Sequence, residues 1–203
     1  FRNFRKNSKN RNVLINMGKR INPGTWTWFR EPKLYILSGD KLILETEPES
    51  TLVSFEGSKL SAFGLLGEAL TNFSYEARID FMFQNVLDEC GLIIKFNDND
   101  WWKYGVRSKN KDINEVFCEH YLNGYCDGSY RDIGRNIKNL YFRILAFHKH
   151  VHFMFGADGK NYRNMRRVEF GDKIIAIPGI YACSPGKSYF DCTFSKIETG
   201  GIL

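Results

Sequence analysis

The stretch that decides the fold is Asn72-Phe73-Ser74-Tyr75-Glu76-Ala77-Arg78-Ile79-Asp80-Phe81-Met82-Phe83-Gln84. Phe73, Tyr75, Ala77, Ile79, Phe81 and Phe83 take alternate positions, with Ser74, Glu76, Arg78, Asp80, Met82 and Gln84 between them. Side chains of a strand point to opposite faces in turn, so the pattern sets one apolar face against one polar face. A helix would scatter the same residues around its axis. The stretch reads as a long strand lying on a core.

Working outward, further strand-like runs cover Leu34–Leu37, Lys41–Thr46, Gly91–Phe96, Trp101–Arg107, Glu115–His120, Tyr141–Phe147, Val151–Gly156, Ile174–Ile177, Gly179–Ser184 and Ser188–Ile197. Turn signals separate them: Ser38-Gly39-Asp40, Asn97-Asp98-Asn99-Asp100, Asp158-Gly159 and Ser184-Pro185-Gly186. Nothing has the period of a long amphipathic helix; Leu60–Leu70 has room for a short helical turn. Many short strands with turns between them predict an all-β sandwich of two antiparallel sheets. No internal repeat divides the chain, so residues 21–203 are expected to form one domain.

Composition agrees. The chain has 203 residues, 43% of them hydrophobic, with only 5 Pro and 18 Gly, which excludes disordered and low-complexity classes. Its apolar runs are a few residues long, far below the roughly 20 of a helical membrane span. No membrane partner is expected.

The formal charge is +6, from 29 Lys+Arg against 23 Asp+Glu. Seven of the basic residues (Arg2, Arg5, Lys6, Lys9, Arg11, Lys19 and Arg20) fall within 1–20, which holds no acidic residue. The remainder carries 22 basic and 23 acidic residues, a net charge of −1. Residues 1–20 are thus expected to be a basic, flexible arm, and nucleic acid is not the expected partner of the body. Five cysteines at 90, 118, 126, 183 and 192 include no Cys-x-x-Cys pair. They point to reduced thiols in a cytoplasmic protein rather than to a disulfide framework.

Several motifs, taken in order, resemble a known family. Trp28-Phe29-Arg30-Glu31-Pro32, Asp88-Glu89-Cys90-Gly91-Leu92 and Asp100-Trp101-Trp102-Lys103-Tyr104-Gly105-Val106-Arg107 are similar to motifs of the regulation-of-enolase family. Tyr125-Cys126-Asp127-Gly128-Ser129, Ala157-Asp158-Gly159 through Tyr162, Arg166 and Gly179–Pro185 continue the series. That family belongs to the concanavalin A-like lectin/glucanase superfamily. The resemblance implies a jelly-roll sandwich whose concave face holds carbohydrate in some members of the superfamily. It carries no established activity, because fold does not fix function.

This chain departs from the family pattern in places. The family's Thr-Asp-Phe-Trp segment is missing near Ser50–Phe55, and Gly128 stands where its second Trp would be. Arg107 replaces a Glu, Glu89 a Gln and Tyr162 a Trp.

The expected ligand site follows from the resemblance and from strand alternation. Trp101, Lys103 and Arg107 share one face of a strand, and Glu89 on the neighbouring arm can approach Arg107 across the ladder. Trp101 would stack on a sugar, Lys103 and Arg107 would donate hydrogen bonds, and Glu89 and Asp127 would accept them. Arg143 and Arg166 would frame the groove. The expected function is non-enzymatic recognition of a carbohydrate or related polyol. A regulatory protein-interaction module is the alternative, and a glycoside hydrolase the third reading.

Hydrolysis needs two carboxylates about 5–5.5 Å or about 6.5–9.5 Å apart. The Glu-x-Asp-x-x-Glu strand of laminarinase-type relatives has no counterpart here, so no catalytic residue is expected. The resemblance implies a hairpin turn near Lys149, so His148, His150 and His152 around it should diverge rather than bind metal. Asn97–Asp100 lacks the Gly and the distal Glu of a known calcium loop and reads as a hairpin turn. No metal or other cofactor is expected.

Overall fold

The computed structural model describes residues 18–52, 61–171 and 174–202. In chain order the strands are β1 (Lys19–Arg20), β2 (Thr27–Arg30), β3 (Tyr35–Ser38), β4 (Lys41–Glu45), β5 (Phe63–Leu66), β6 (Leu70–Thr71), β7 (Phe73–Phe81) and β8 (Glu89–Asn97). They continue as β9 (Asp100–Ser108), β10 (Ile113–Leu122), β11 (Tyr125–Gly134), β12 (Asn139–Phe147), β13 (His150–Gly156), β14 (Arg163–Glu169), β15 (Ile175–Cys183) and β16 (Asp191–Gly201). A single turn of 3-10 helix, Pro23–Thr25, lies between β1 and β2.

The back sheet runs β14-β13-β12-β7-β16-β4-β3, with β1 added on β16. The front sheet runs β11-β10-β9-β8-β15-β5-β2, with β6 added on β15. Every pairing is antiparallel, and the architecture is a jelly-roll sandwich of two sheets. No helix among the described residues is long and apolar enough to cross a membrane.

The core lies between the sheets. In β7, burial alternates residue by residue: Phe73, Tyr75, Ala77, Ile79 and Phe81 point inward. They meet Cys90, Leu92 and Ile94 of β8 and Trp102, Tyr104 and Val106 of β9. Large side chains buried this fully contribute about 1.5–3 kcal/mol each. Tyr75 also ties the sheets together, its hydroxyl donating to the Gly179 carbonyl at 2.8 Å.

Six strands lie outside the expected runs: β2, β5, β11 and β14, and the two-residue β1 and β6. β11 and β14 are the outer strands of their sheets, so polar Tyr125–Gly134 and Arg163–Glu169 are paired on one side only and mostly exposed. Of the expected short turn over Leu60–Leu70, Leu60 lies outside the described residues, and Phe63–Leu66 is instead β5, bonded on both sides. β2 pairs with β5 at the other rim of the front sheet. The expected break between Ile177 and Gly179 is also absent, because β15 runs through Pro178. At that residue its flank passes from β6 to β5.

Residues 1–17 of the expected arm lie outside the described residues, and Lys19–Arg20 forms β1 on the back sheet. Four of the five thiols are buried and Cys126 is exposed, all five free of disulfides. His148 and Lys149 form the β12–β13 turn, both with left-handed backbone. His150 and His152 lie beyond it with ring centroids 6.1 Å apart.

Candidate functional site

The outer face of the front sheet carries the candidate site. Antiparallel register arranges its side chains in rows across the strands. One row is Glu89–Arg107–Glu115–Asp132, and the next is Gly91–Gly105–Phe117–Tyr130. Then come Ile93–Lys103–Glu119–Gly128 and Lys95–Trp101–Tyr121–Cys126.

Glu89 faces Arg107 in register, yet the two do not pair. Lys103 reaches back over the glycine row, and its Nζ lies 3.0 Å from Glu89 Oε1 and 3.1 Å from Glu119 Oε2. Arg107 turns the other way, donating to Glu115 Oε1 through Nη2 at 2.8 Å and to Glu119 Oε1 through Nη1 at 3.0 Å. The expected Glu89/Arg107 pair is therefore corrected to a network across three strands, β8, β9 and β10. The side-chain-free Gly91/Gly105 pair opens the route that Lys103 takes. Lys103 is 3% exposed and Glu119 4%, so both have given up hydration and depend on each other.

Burial works against the charge of Lys103, but Glu89 and Glu119 outweigh it and raise its pKa. Burial likewise opposes ionisation of Glu119, but Lys103, the Tyr121 hydroxyl and Arg107 together hold its carboxyl below the usual range. The Tyr121 hydroxyl donates to Glu119 Oε2 at 2.8 Å, while burial and the Glu119 charge push its own pKa far up. Phe117 lies under both cations, with Lys103 Nζ and the Arg107 guanidinium each 5.1 Å from its ring centroid.

Beside this network the face is apolar. Trp101 stacks on Tyr121 with centroids 4.2 Å apart and planes 6° from parallel. It also forms one wall of a recess of about 370 Å³ whose other walls include Phe29, Leu66 and Ile93. Lys95 and Asp98, paired at 2.6 Å, stand at the recess as its charged side chains. Leu66 of β5 is a wall of this recess and does not fill it.

Of the expected site residues, Glu89, Trp101, Lys103 and Arg107 come together on this face. Asp127, Arg143 and Arg166 do not. Asp127 pairs in register with His120, not Glu119, and so faces the opposite side of β11. There it meets Arg166 of β14, which also sits 5.0 Å over the Trp102 ring, and the pair bridges the two sheets. Arg143 lies on the outer face of the back sheet, 2.5 Å from Glu76 and over the Tyr162 ring. Alternation turns Asp127 away from the groove, whereas Arg143 and Arg166 stand on strands of the back sheet.

The sequence reading missed Glu115, Glu119 and Tyr121. Glu115, Phe117 and Glu119 alternate on β10, so this strand places two carboxylates on the groove face without the laminarinase-type motif. The available signal was two acidic residues inside an apolar strand, which need buried partners. Gly128, where the family pattern has an aromatic, is compensated: a Cβ there would collide with the Tyr130 hydroxyl. Tyr130 thus occupies the space of the missing side chain and lies 5.1 Å from the Arg107 guanidinium. Among the described residues no group of three or more His, Cys, Asp or Glu is placed to hold a metal ion.

Residues 28–201 match the family described as "Protein of unknown function (DUF1349)". The chain belongs to this family. It is 23% identical over 173 residues to Regulation of enolase protein 1 of Saccharomyces cerevisiae, covering 84% of this chain and 86% of that one. Among solved structures, a functionally unknown protein from Saccharomyces cerevisiae superposes with a TM-score of 0.77 at 20% identity, over 90% of this chain and 100% of the other. The catalytic domain of an endo-1,3-beta-glucanase (laminarinase) from Thermotoga petrophila gives 0.62 at 10% identity, over 93% and 98%. At these identities the solved structures establish the DUF1349 chain's fold and nothing more.

Proposed function

We propose that this DUF1349 domain recognises a neutral carbohydrate or related polyol in the recess beside Trp101, without cleaving it. The observation that carries the reading is the Trp101 wall: an indole braced on Tyr121, facing a recess of about 370 Å³ with apolar sides and one charged pair. Sugars present apolar C–H faces to aromatic rings and hydroxyls to a few placed polar groups. Lys95 and Asp98, a pair with side chains 32% and 90% exposed, take the polar part first expected of Lys103 and Glu89, which are buried.

The same charges support binding over hydrolysis. A general acid needs a carboxyl with a raised pKa. Glu119 is held ionised by Lys103 and Arg107, and Glu89 and Glu115 are each ion-paired. A glycan array probed with the full chain and with Trp101→Ala tests the reading. Signals for neutral oligosaccharides should appear with the first and vanish with the second; reducing ends released from the same oligosaccharides would favour a hydrolase instead. The free thiols support a reducing, cytoplasmic setting.

One observation favours the second reading, a regulatory protein-interaction module. β3 is the outer strand at the other edge of the back sheet from β14; Ile36 on it and Leu34 just before it are 60% and 61% exposed. An apolar sheet edge of this kind accepts an added strand from a partner. The relative's name makes enolase the first partner to try, and co-elution of the two proteins, lost in Ile36→Lys, would establish this reading.

A further inference from the structure

The back sheet carries a second recess, of about 400 Å³, on the side of the molecule away from the groove. Four cations line it: Arg20, Lys41, Arg78 and Lys196. Among the described residues two carboxylates line it with them, and a third, that of Glu198, lies 3.6 Å from Arg20. Asp40 is 3.2 Å from Arg20, and Asp80 is 2.7 Å from Arg78. The hydroxyls of Thr193 and Ser195 complete the floor.

Two of the four cations have no acidic partner there. Lys41 makes no ion pair among the described residues. Lys196 Nζ donates to the Tyr141 hydroxyl at 2.8 Å and lies 5.2 Å from that ring, contacts that leave its charge uncompensated. Lys196 reaches this position through an irregularity in β16. The register with β7 shifts between Ser195 and Glu198, and Lys196 takes a left-handed backbone with φ 49°. Such a conformation is costly for a residue with a Cβ, and bulges of this kind re-aim side chains. Arg78 adds a donor, since its Nε is buried without a hydrogen-bond partner.

We infer that this recess binds a phosphomonoester dianion. Two uncompensated cations match two negative charges, while Thr193 and Ser195 can donate to phosphate oxygens and the arginines can orient them. The volume is that of a small-ligand site rather than of a polymer track. The site shares no residue with the Trp101 recess and stands or falls independently of the carbohydrate reading.

The test is an NMR titration of the full chain with inorganic phosphate and with glycerol 2-phosphate at pH 7.5. Saturable shifts should centre on Lys41, Arg78, Ser195 and Lys196. Lys41→Gln and Lys196→Gln should each weaken binding about tenfold, the worth of one charge-assisted hydrogen bond. Asp80→Asn, which frees Arg78, should tighten it, and Trp101→Ala should leave it unchanged. At pH 5.5 the ester, whose second pKa is about 6, loses a charge and should bind more weakly, whereas sulfate should not. Vesicles carrying phosphatidylinositol 4-phosphate separate a headgroup source from a soluble ester; binding of either form upholds the site. Shifts confined to residues 1–17, or affinity indifferent to Lys41→Gln and Lys196→Gln, would overturn it.

Discussion

Gly91 and Gly105 stand directly opposite each other on β8 and β9, so close that a Cβ on Gly105 would come within 2.6 Å of the Gly91 Cα. Their bare backbones leave the gap through which Lys103 reaches Glu89. Gly105→Ala should lower stability by about 1–3 kcal/mol, as overpacking does, and Gly91→Ala similarly. Denaturant unfolding checks this; a neutral Gly105→Ala would mean that the gap is not needed.

Lys103 should be the least replaceable side chain on the groove face. Lys103→Met leaves Glu89 buried without its cation and Glu119 with Arg107 alone, a loss of about 3–5 kcal/mol for a broken buried pair. The triple variant Glu89→Gln, Lys103→Met, Glu119→Gln removes the charges together and should recover most of that loss. Thermal melts of the two variants measure the difference, and equal destabilisation would contradict the network.

The network also sets a pH window. Glu119 is depressed in the fold, so its contribution is present above the ordinary carboxyl value of 4.5 and is lost as pH falls through its folded pKa. Lys103 is raised, so its contribution is complete below 10.5 and is lost as pH rises through its folded value. Stability from the pair should be flat between these limits. Glu119→Gln should flatten the acid limb of a stability–pH profile, and an unchanged limb would remove Glu119 as its source.

The basic residues before β1 should account for any retention on heparin. Deleting residues 1–16 should abolish it and leave the melting temperature unchanged, since β1 begins at Lys19. Retention surviving the deletion would place the basic surface on the domain.

Much of the fold was legible because β7, β8 and β9 are inner strands whose apolar residues must face the core. β11 and β14 were not, because an outer strand can be polar along its whole length. The site was legible only in part for a related reason. Alternation places Trp101, Lys103 and Arg107 together, but it cannot place Asp127 without the register of β10 against β11. Nor can it reveal that Lys103 bypasses Ile93 to find Glu89, which depends on two glycines meeting across a ladder.

The central claim, that sugar binds against Trp101, is tested most directly by the indole N–H resonances of the chain's four tryptophans. With the Trp101 signal assigned through Trp101→Phe, titration with neutral xylo- and β-glucan oligosaccharides should shift that signal saturably. The signals of Trp26, Trp28 and Trp102 should move little. If the Trp101 indole stays unmoved by every neutral oligosaccharide at millimolar concentration, the carbohydrate reading is wrong.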